Sequence, residues 1–453
     1  MLLYQWILLL AFSLVFLWIS PLAKTVSQFY KAQTKDKEVG SVVLMASLVI
    51  SWIFAKSITN AANLSMEFGI LGGVSYGLYY LSFMVAGVVI YQLRTKGGFT
   101  SLHHFLEHKY GRIAVWIFTI LIGFRLFNEV WSNTMVIGSY FGESGSVQYF
   151  SSILVFTVLT LLYSLKGGMS SSIMTDVIQM IFFGVMLVVI LTMVLSDGNY
   201  TASDYVSSSD WKMNAGLNFF FVALIQVFSY PFHDAVLTDR GFIADSKKTL
   251  RAFIWASIIG FICIVLFSLV GVYAKLSGLD GQAAVEVSKL FGIPLMLLMN
   301  FIMITSAAST LDSAFISSAK LIDADLNPQK KSLRRGRLIM VVFTILGTLP
   351  IFLNPTVLSA TTISGTMVLG LAPVFILWKI KSNPLAFHMT VGVGIIIGIL
   401  FTLKLWPQSL VFFEGRYGIL LSANIVGAML SLLVFIIVSA LGKSPESQIK
   451  LKV

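Results

Sequence analysis

The sequence predicts an all-α integral membrane protein. Hydrophobic residues make up 57% of the 453 positions and charged residues only 11%, and the mean hydropathy is +0.88. A soluble globular protein of this length does not reach such values. The apolar runs are about 20 residues long, which is the length an α-helix needs to cross a bilayer. They do not alternate between polar and apolar residues, so the helical class is favoured over a membrane β-barrel.

Hydropathy predicts thirteen transmembrane spans, with boundaries placed to within about four residues. The spans lie at residues 2–20, 41–66, 69–92, 111–141, 147–165, 171–196, 214–238, 249–276, 292–320, 336–353, 356–380, 384–404 and 417–441. The first run lacks a basic leading region and a small-residue cleavage site, so we interpret it as a retained span and not a signal peptide. The single cysteine, Cys263, excludes a disulfide framework.

The lysines and arginines are distributed unevenly between the two ends of these spans. With the N-terminus outside, most of them, including Arg240 and Lys320, fall on the cytoplasmic side. This is the bias that the positive-inside rule describes, and it predicts a plasma-membrane protein with an outside N-terminus and a cytoplasmic C-terminus. Because this topology accounts for the net charge of +11, we exclude nucleic acid as a partner. The lipid bilayer is the predicted partner of the apolar surface.

Two predicted spans are interrupted by residues that disturb a membrane helix. The second contains the polar run from Ser51 to Asn63, with Lys56 in its middle, and the seventh contains Ser229-Tyr230-Pro231-Phe232-His233-Asp234. Proline removes a backbone donor and disturbs the preceding turn. Five spans begin with the second and five with the seventh, and they start on opposite sides. Irregular helices at matching places in two inverted halves indicate a substrate site near the middle of the membrane.

The ninth span carries a stripe of oxygen-bearing side chains. Thr305, Ser309, Asp312 or Ser313, and Ser317 recur at helical spacing and share one face, with Ser306 at its edge. Such groups are costly against lipid, so this face is expected inside the bundle. Oxygen ligands suit a hard cation. The alternative is that each hydroxyl bonds to the carbonyl of the preceding turn.

Three motifs in this order resemble those of the sodium:solute symporter family. The segment from Gly167 to Gln179 is similar to the Gly-Gly…Thr-Asp-x-x-Gln signature that opens the family's sixth span. Thr305-Ser306-x-x-Ser309-x-x-Asp312-Ser313 resembles its ninth-span motif. Thr238-Asp239-Arg240 with the following basic residues resembles the loop after its seventh span. The resemblance covers residues 41 to 380.

The resemblance implies a fold of the leucine-transporter type, with two inverted five-helix repeats preceded by one span and followed by two. The expected division is an extra span and cytoplasmic loop at 1–40, repeats at 41–213 and 214–383, and two extra spans with a cytoplasmic tail at 384–453. It also implies a sodium ion between the second and ninth spans. The expected ligands are the carbonyls of Ile50, Ile53 and Ile302 and the hydroxyls of Thr305 and Ser306.

Some family members hold a further sodium ion near the signature aspartate. Asp176 and Ser309 match its ligands here, while Ala308 stands where those members have a second serine. The resemblance therefore implies a possible second sodium at Asp176 and Ser309. The alternative is that Asp176 balances a local charge or caps its helix.

Other polar residues within the spans are candidates for the substrate site. Lys56 precedes Ser57, which matches a substrate-contacting position of sugar-transporting members. Arg125 and Glu129 are one turn apart, so they could pair with each other, or Arg125 could bind a carboxylate of the solute. Lys56 could pair with Glu129, with Asp312 or with a solute anion. Tyr230 and His233, beside the proline, are the remaining candidates.

These observations predict a symporter that couples inward Na⁺ movement to the uptake of a small polar organic solute by alternating access. The two basic residues slightly favour an anionic or zwitterionic solute. The alternative is a symporter-like membrane sensor without net transport. We do not expect an enzyme, because the five scattered histidines form no metal cluster in the core and no nucleophile–base pair is evident.

Overall fold

The computed structural model describes residues 2–32, 39–326, 329, 331–353, 355 and 357–442. The predicted tail after residue 443 and residues 33–38 of the first loop lie outside the described residues. The α-helices are α1 (Leu2–Ile19), α2 (Val26–Lys31), α3 (Ser41–Trp52), α4 (Ala55–Phe68), α5 (Ile70–Gly77), α6 (Leu81–Thr95), α7 (Leu102–Tyr110), α8 (Arg112–Phe141), α9 (Val147–Gly167), α10 (Met169–Leu195), α11 (Ala202–Ser207), α12 (Leu217–Gln226), α13 (Ala235–Arg240), α14 (Ser246–Leu276), α15 (Ala283–Phe291), α16 (Ile293–Ala319), α17 (Leu333–Thr348), α18 (Ser359–Met367), α19 (Leu371–Ile376), α20 (Pro384–Thr402) and α21 (Gly418–Leu441). Short 3₁₀ turns lie at Leu78–Tyr80, Met213–Ala215, Tyr230–His233, Leu349–Leu353 and Gln408–Leu410, and a π-helical turn, Lys320–Asp325, extends α16.

The described helices confirm the all-α membrane class. Ten helical stretches are long and apolar enough to cross a bilayer, and the bent pair α3–α4 makes an eleventh. The other two predicted spans, 214–238 and 356–380, are divided into the short helices α12 with α13 and α18 with α19. The count of thirteen therefore stays a prediction. Large apolar side chains such as Trp18, Ile120 and Val188 are exposed, as expected of a surface that faces lipid.

The first interruption is a sharp bend between α3 and α4. The two helices meet at 58°, and Ile53 and Phe54 at the bend are not helical. No proline or glycine causes the bend; side chains from other helices take over the lost backbone bonds. The Tyr80 hydroxyl donates to the Trp52 carbonyl at 2.5 Å, and the Lys56 amide donates to Asn133 Oδ1 at 3.1 Å. Such replacement partners are required where backbone groups are withdrawn from water.

The second interruption separates α12 from α13. Helix α12 ends at Gln226, and the proline at 231 lies in the 3₁₀ turn Tyr230–His233. Asp234 then begins α13, and its Oδ1 accepts a hydrogen bond from the Leu237 amide at 2.9 Å. Aspartate is a favoured residue at a helix N-cap because its side chain replaces a missing backbone acceptor. Both interruptions fall within the segments that the sequence marks as irregular.

Helix α16 lies at the centre of the bundle. It begins after Gly292, whose φ of 80° is a conformation that glycine adopts without strain, and Pro294 occupies its first turn. Every residue from 302 to 319 is buried. The helix packs against α3 and α4 on one side, α8, α9 and α10 on others, and α13 near its end. It therefore contacts helices from both interruptions.

Candidate functional site

Two hydroxyl groups in the middle of α16 have no hydrogen-bond partner. Thr305 and Ser306 are both fully buried, and no described residue bonds to either side-chain oxygen. Thr310, on the same helix, instead donates to the Ser306 carbonyl at 2.9 Å. The back-bonding alternative therefore describes Thr310 but not Thr305 or Ser306. A buried hydroxyl without a partner costs about 1–3 kcal/mol, a cost that a bound ion would offset.

The other three predicted sodium ligands belong to α3, its end and α16, and a side-chain contact between these two helices is that of Ser51 with Ser313 at 3.4 Å. Ile50 belongs to the last turn of α3, Ile53 ends that helix, and Ile302 precedes Thr305 on α16; all three are fully buried. Because α3 stops at the bend, carbonyls of its last turn are released from regular helical bonding. Helices α3 and α16 are in contact. The arrangement offers hydroxyl and carbonyl oxygens without a carboxylate, a donor set that fits Na⁺.

Four charged side chains form a buried cluster between the two interruptions. Lys56 Nζ lies 2.7 Å from Glu129 Oε2, and the other oxygen of Glu129 pairs with Arg125. Arg125 Nη2 also lies 3.2 Å from Asp234 Oδ2. Each of the four side chains is at most 3% exposed. We call these residues, Lys56, Arg125, Glu129 and Asp234, the charge cluster.

The charge cluster is balanced, with two cations and two carboxylates. It links α4, after the first interruption, to α13, after the second, through α8. Lys56 therefore pairs with Glu129 and not with Asp312. Burying an unpaired charge costs far more than burying a matched pair. The four groups can therefore stay ionised inside the bundle because their charges balance.

Aromatic and polar side chains surround the charge cluster. The Arg125 guanidinium carbon lies 4.8 Å from the ring centre of Tyr230 and 5.4 Å from that of Phe54, distances at which a cation interacts favourably with a ring. The Ser57 hydroxyl lies 3.1 Å from that of Tyr76. His233 Nδ1 donates to the Tyr230 carbonyl at 2.6 Å, while its Nε2 has no partner among the described residues. All predicted substrate-site residues thus lie around the two interruptions.

Asp176 and Ser309, the possible second sodium ligands, are in direct contact. Ser309 donates to Asp176 Oδ1 at 2.6 Å and Ser47 to Oδ2 at 2.5 Å. Arg240 Nη2 lies 2.8 Å from the same Oδ2. A guanidinium therefore stands beside the carboxylate where the second sodium was expected, which agrees with the alternative that Asp176 balances a local charge.

Arg240 itself is not on a solvated loop. The positive-inside distribution places it among the cytoplasmic basic residues, and its side chain is fully buried. The reason is its place at the end of the short helix α13, from which it reaches between α3 and α10 to bond Ser47 and Asp176. The structure thus shows that the Arg240 side chain is buried among the helices, while its position on the cytoplasmic side stays a prediction.

A cavity of about 600 Å³ opens at one end of the bundle. Its lining includes Lys31, Lys320 and Lys331, which the sequence places on the cytoplasmic side, and it reaches Ile122 and Ala235. Ile122 lies one turn from Arg125 on α8, and Ala235 follows Asp234. The cavity therefore ends next to the charge cluster.

Ionic contacts line the mouth of this cavity. Lys320 pairs with Asp239, and Ser317 donates to the same carboxylate at 2.8 Å. Burial lowers the pKa of His103, another lining residue, to about 4, since the charged imidazolium loses hydration. His103 is therefore neutral at physiological pH, although its Nδ1 lies 4.0 Å from Asp325.

The opposite end of the bundle is covered by the segment before α21. Arg416 pairs with Glu67 at the end of α4, and Asn218 Nδ2 donates to the Glu414 carbonyl at 2.8 Å. Tyr417 packs its ring 5.0 Å from that of Phe219. The two ends thus differ: one carries a cavity and the other is closed by these contacts.

Asp234 and Arg240 are functional candidates that are not among the site residues predicted from the sequence. Both bind a partner far away in the chain, Arg125 and Asp176 respectively. A usable signal was present for Asp234, because a carboxylate next to a proline inside a membrane span requires a cation. For Arg240, the six-residue helix α13 is too short to show a periodic pattern that would predict a buried side chain.

Solved structures with this fold are membrane transporters. A structure of a Na⁺-coupled sialic acid symporter in a substrate-bound outward-open state superimposes with a TM-score of 0.74, at 16% identity, covering 97% of each chain. Mhp1, a nucleobase-cation-symport-1 family transporter, in a closed conformation with bromovinylhydantoin bound, gives a TM-score of 0.56 at 12% identity, covering 94% of this chain and 98% of that one. The chain thus shares the fold of these two symporters, which confirms the predicted fold class.

Similarity at the level of sequence is limited. The urea active transporter of Saccharomyces cerevisiae is 23% identical over 185 residues, which are 39% of this chain and 23% of that protein. The match thus spans about a quarter of the length of this relative. No family model matches the chain.

Proposed function

We propose that the protein is a secondary active symporter that couples inward sodium movement to uptake of a small polar organic solute. The observation that carries this proposal is the pair of buried hydroxyls, Thr305 and Ser306, which have no hydrogen-bond partner among the described residues and lie on α16, a helix that packs against the interrupted pair α3 and α4. The fold of sodium-coupled and cation-coupled transporters supports it. The protein lies in the plasma membrane with its N-terminus outside and its C-terminus in the cytoplasm.

The sodium ion binds to five neutral oxygens. Ile50, Ile53 and Ile302 contribute carbonyls, and Thr305 and Ser306 contribute hydroxyls. Since no carboxylate is included, the ion is held by dipoles alone and is released when the helices separate. Reversible binding of this kind is what a transport cycle requires, because the ion must leave on the cytoplasmic side.

The solute binds beside the charge cluster, between the two interruptions. Because Lys56 and Arg125 are already matched by Glu129 and Asp234, a solute with a net charge would leave one charge unbalanced in a buried site. A zwitterionic or uncharged, strongly dipolar solute avoids this cost. We therefore favour such a solute over a simple anion.

Alternating access follows from the unequal ends of the bundle. The cavity near Ile122 and Ala235 is the exit on the cytoplasmic side, and the contact between Arg416 and Glu67 closes the outside. The repeats at 41–213 and 214–383 move against each other around the site. In the opposite state the outer contacts break and the cavity closes.

The test uses sodium alone, because the solute is unidentified. Purified protein should be stabilised against heating by Na⁺ but not by choline, since a ligand that binds only the folded state raises its stability by mass action. The double variant Thr305→Ala, Ser306→Ala should fold and lose this stabilisation. Thr310→Ala, a matched control whose hydroxyl bonds to the main chain, should retain it.

The outcomes separate the alternatives. Equal sodium stabilisation in the double variant and the parent would show that the ion site is elsewhere. Sodium stabilisation that depends on both residues, but without solute uptake by proteoliposomes in a screen of zwitterionic and neutral solutes, would favour a membrane sensor instead.

A further inference from the structure

Asp312 lies on α16, two turns beyond Thr305, in a cage of hydroxyl groups. Its side chain is 1% exposed. Oδ2 accepts from Tyr163 at 3.0 Å and from Thr175 at 2.9 Å. Oδ1 accepts from Ser172 at 2.9 Å and from Ser313 at 3.3 Å. Four helical hydroxyls therefore surround one carboxylate.

No described lysine or arginine forms an ion pair with Asp312. The nearest cation along the network is Arg240, which bonds Ser172 and Ser313 but forms its ion pair with Asp176. The group formed by Asp176, Asp312 and Arg240 thus contains two buried carboxylates and one guanidinium. When both carboxylates are ionised, the group carries one excess negative charge. An uncompensated buried charge is expensive, so such a group normally takes up a proton or a cation.

The other charged groups on the packed helices have partners of their own. The titratable side chains that face Asp312 are Tyr163 on α9, Asp176 on α10 and Arg240 on α13, while α3 adds only the hydroxyls of Ser47 and Ser51. Other charged residues on or beside α8, α16 and α17 have partners elsewhere: Arg125 with Glu129, Lys320 with Asp239, Asp323 with Arg335, and Arg337 with the Leu165 carbonyl. None of these pairs supplies the missing positive charge.

The hydrogen bonds around Asp312 fit both of its protonation states. With Asp312 ionised, Tyr163 and Thr175 donate to Oδ2. With Oδ2 protonated, Asp312 donates to one of these hydroxyls instead. The hydrogen of Tyr163 then points to the Ala308 carbonyl at 3.1 Å, and that of Thr175 to the Ser171 carbonyl at 3.0 Å. A proton can therefore bind and leave without any hydroxyl losing its partner.

Gln179 is an independent indication that the hydrogen bonds around Asp312 can rearrange. It lies one turn beyond Thr175 on α10 and beside the Tyr163 hydroxyl. Its side chain is fully buried, and within the described part of the chain its amide atoms make no hydrogen bond of regular distance and angle, although the Tyr163 hydroxyl is close enough to interact. A buried amide in this position supplies a donor and an acceptor for a rearranged Tyr163 hydroxyl or for an entering water molecule.

We propose that Asp312 binds and releases one proton during the transport cycle, so that a proton is a second coupling ion beside sodium. This inference rests on the proposed function. The proton comes from water, forms an O–H bond at Oδ2 and returns to water in the cytoplasmic cavity, whose wall includes Ser317 on the same helix. The Ala308 carbonyl, which lies between the sodium residues and Asp312 along α16, links the two sites through Tyr163.

The experiment is an infrared pH titration of the purified, sodium-free protein. A C=O stretching band of a protonated, buried carboxyl group should appear as the pH falls and should be absent in Asp312→Asn. Asparagine keeps the size and the hydrogen-bonding capacity of the side chain, and it imitates the neutral state. The matched control Asp204→Asn, at an exposed carboxylate outside the spans, should retain the band.

A second variant keeps the proposal testable if Asp312→Asn does not fold. Thr175→Val removes a donor that stabilises the ionised carboxylate, so the midpoint of the band should move to higher pH. No band in the parent, an unchanged band in Asp312→Asn, or an unmoved midpoint in Thr175→Val would overturn the proposal. Loss of sodium stabilisation in Asp312→Asn without any titrating band would identify Asp312 as a sodium ligand instead.

These results are distinct from a failure of the proposed function. The titration requires neither solute nor sodium, whereas the sodium site is tested by heating with Thr305 and Ser306 variants. If both proposals hold, solute uptake by the parent should depend on the pH gradient, and uptake by Asp312→Asn should not.

Discussion

Lys56 shows how a single buried cation is retained in a membrane helix. Its amine contacts Glu129 at 2.7 Å and lies 5.0 Å from the ring centre of Phe54. Its main-chain amide bonds Asn133. The ion pair with Glu129 balances the charge, and the Phe54 ring shields it from the apolar surroundings. The hydrogen bond to Asn133 stabilises the start of α4. One residue thus supports both the bend and the balance of the charge cluster.

Removing this charge should destabilise the protein. In Lys56→Gln, Arg125 is the one cation of the charge cluster that remains for Glu129 and Asp234. Removing one partner of a buried ion pair costs about 3–5 kcal/mol. We expect a markedly lower melting temperature and lower expression. The double variant Lys56→Gln, Glu129→Gln restores neutrality and should recover most of the loss, as measured by thermal unfolding in detergent.

The control for this comparison is an ion pair at the surface. Lys289 and Glu286 lie 2.8 Å apart, with Lys289 57% exposed, and such pairs contribute little. Lys289→Gln should leave the melting temperature unchanged. If the melting temperature of Lys56→Gln is as little changed as that of Lys289→Gln, the ion pair between Lys56 and Glu129 does not stabilise the fold.

At the scale of helices, α4 is held by close contact with α14. A Cβ atom added at Gly271 of α14 would lie 1.9 Å from the Ala62 carbonyl oxygen of α4. Small residues allow membrane helices to approach in this way, where packing is a main source of stability. The contact fixes the helix that carries Lys56 and Ser57.

Gly271→Ala should therefore be destabilising, although alanine is normally the better helix former. The backbone of α4 would have to move, so we expect a lower melting temperature together with weaker sodium stabilisation. Gly184→Ala in α10 is the matched control, since an added Cβ there meets no atom within 4 Å. A variant at Gly271 that is as stable as the one at Gly184 would contradict the close packing of these helices.

At the scale of the whole molecule, the orientation in the membrane is open to direct measurement. In a Cys263→Ala background, a cysteine at Ser207, which is exposed, should react with a membrane-impermeant thiol reagent on intact cells. A cysteine at Thr95, between Arg94 and Lys96, should react only after permeabilisation. The reverse pattern would overturn the predicted topology and the assignment of the cavity to the cytoplasmic side.

The helical class and the two bends can be predicted from the sequence, because each leaves a local pattern, whereas the sodium ligands stay a prediction. Apolar length marks the spans, the polar run around Lys56 marks one bend, and Pro231 marks the other. The pairing of side chains is not local. Asp234 contacts Arg125 across 109 positions, and Arg240 enters the core from a six-residue helix too short to show a periodic pattern.

The balance of the charge cluster also has an electrical consequence. In the proposed transport cycle Lys56, Arg125, Glu129 and Asp234 move together with the helices of the site, and their charges sum to zero. Their displacement across the membrane potential therefore performs no net electrical work, whereas a single moving charge would gain or lose about 2.3 kcal/mol per 100 mV. For the proposed symporter, the voltage dependence of uptake then arises from the bound ions and from the excess charge of the group formed by Asp176, Asp312 and Arg240, and not from the charge cluster.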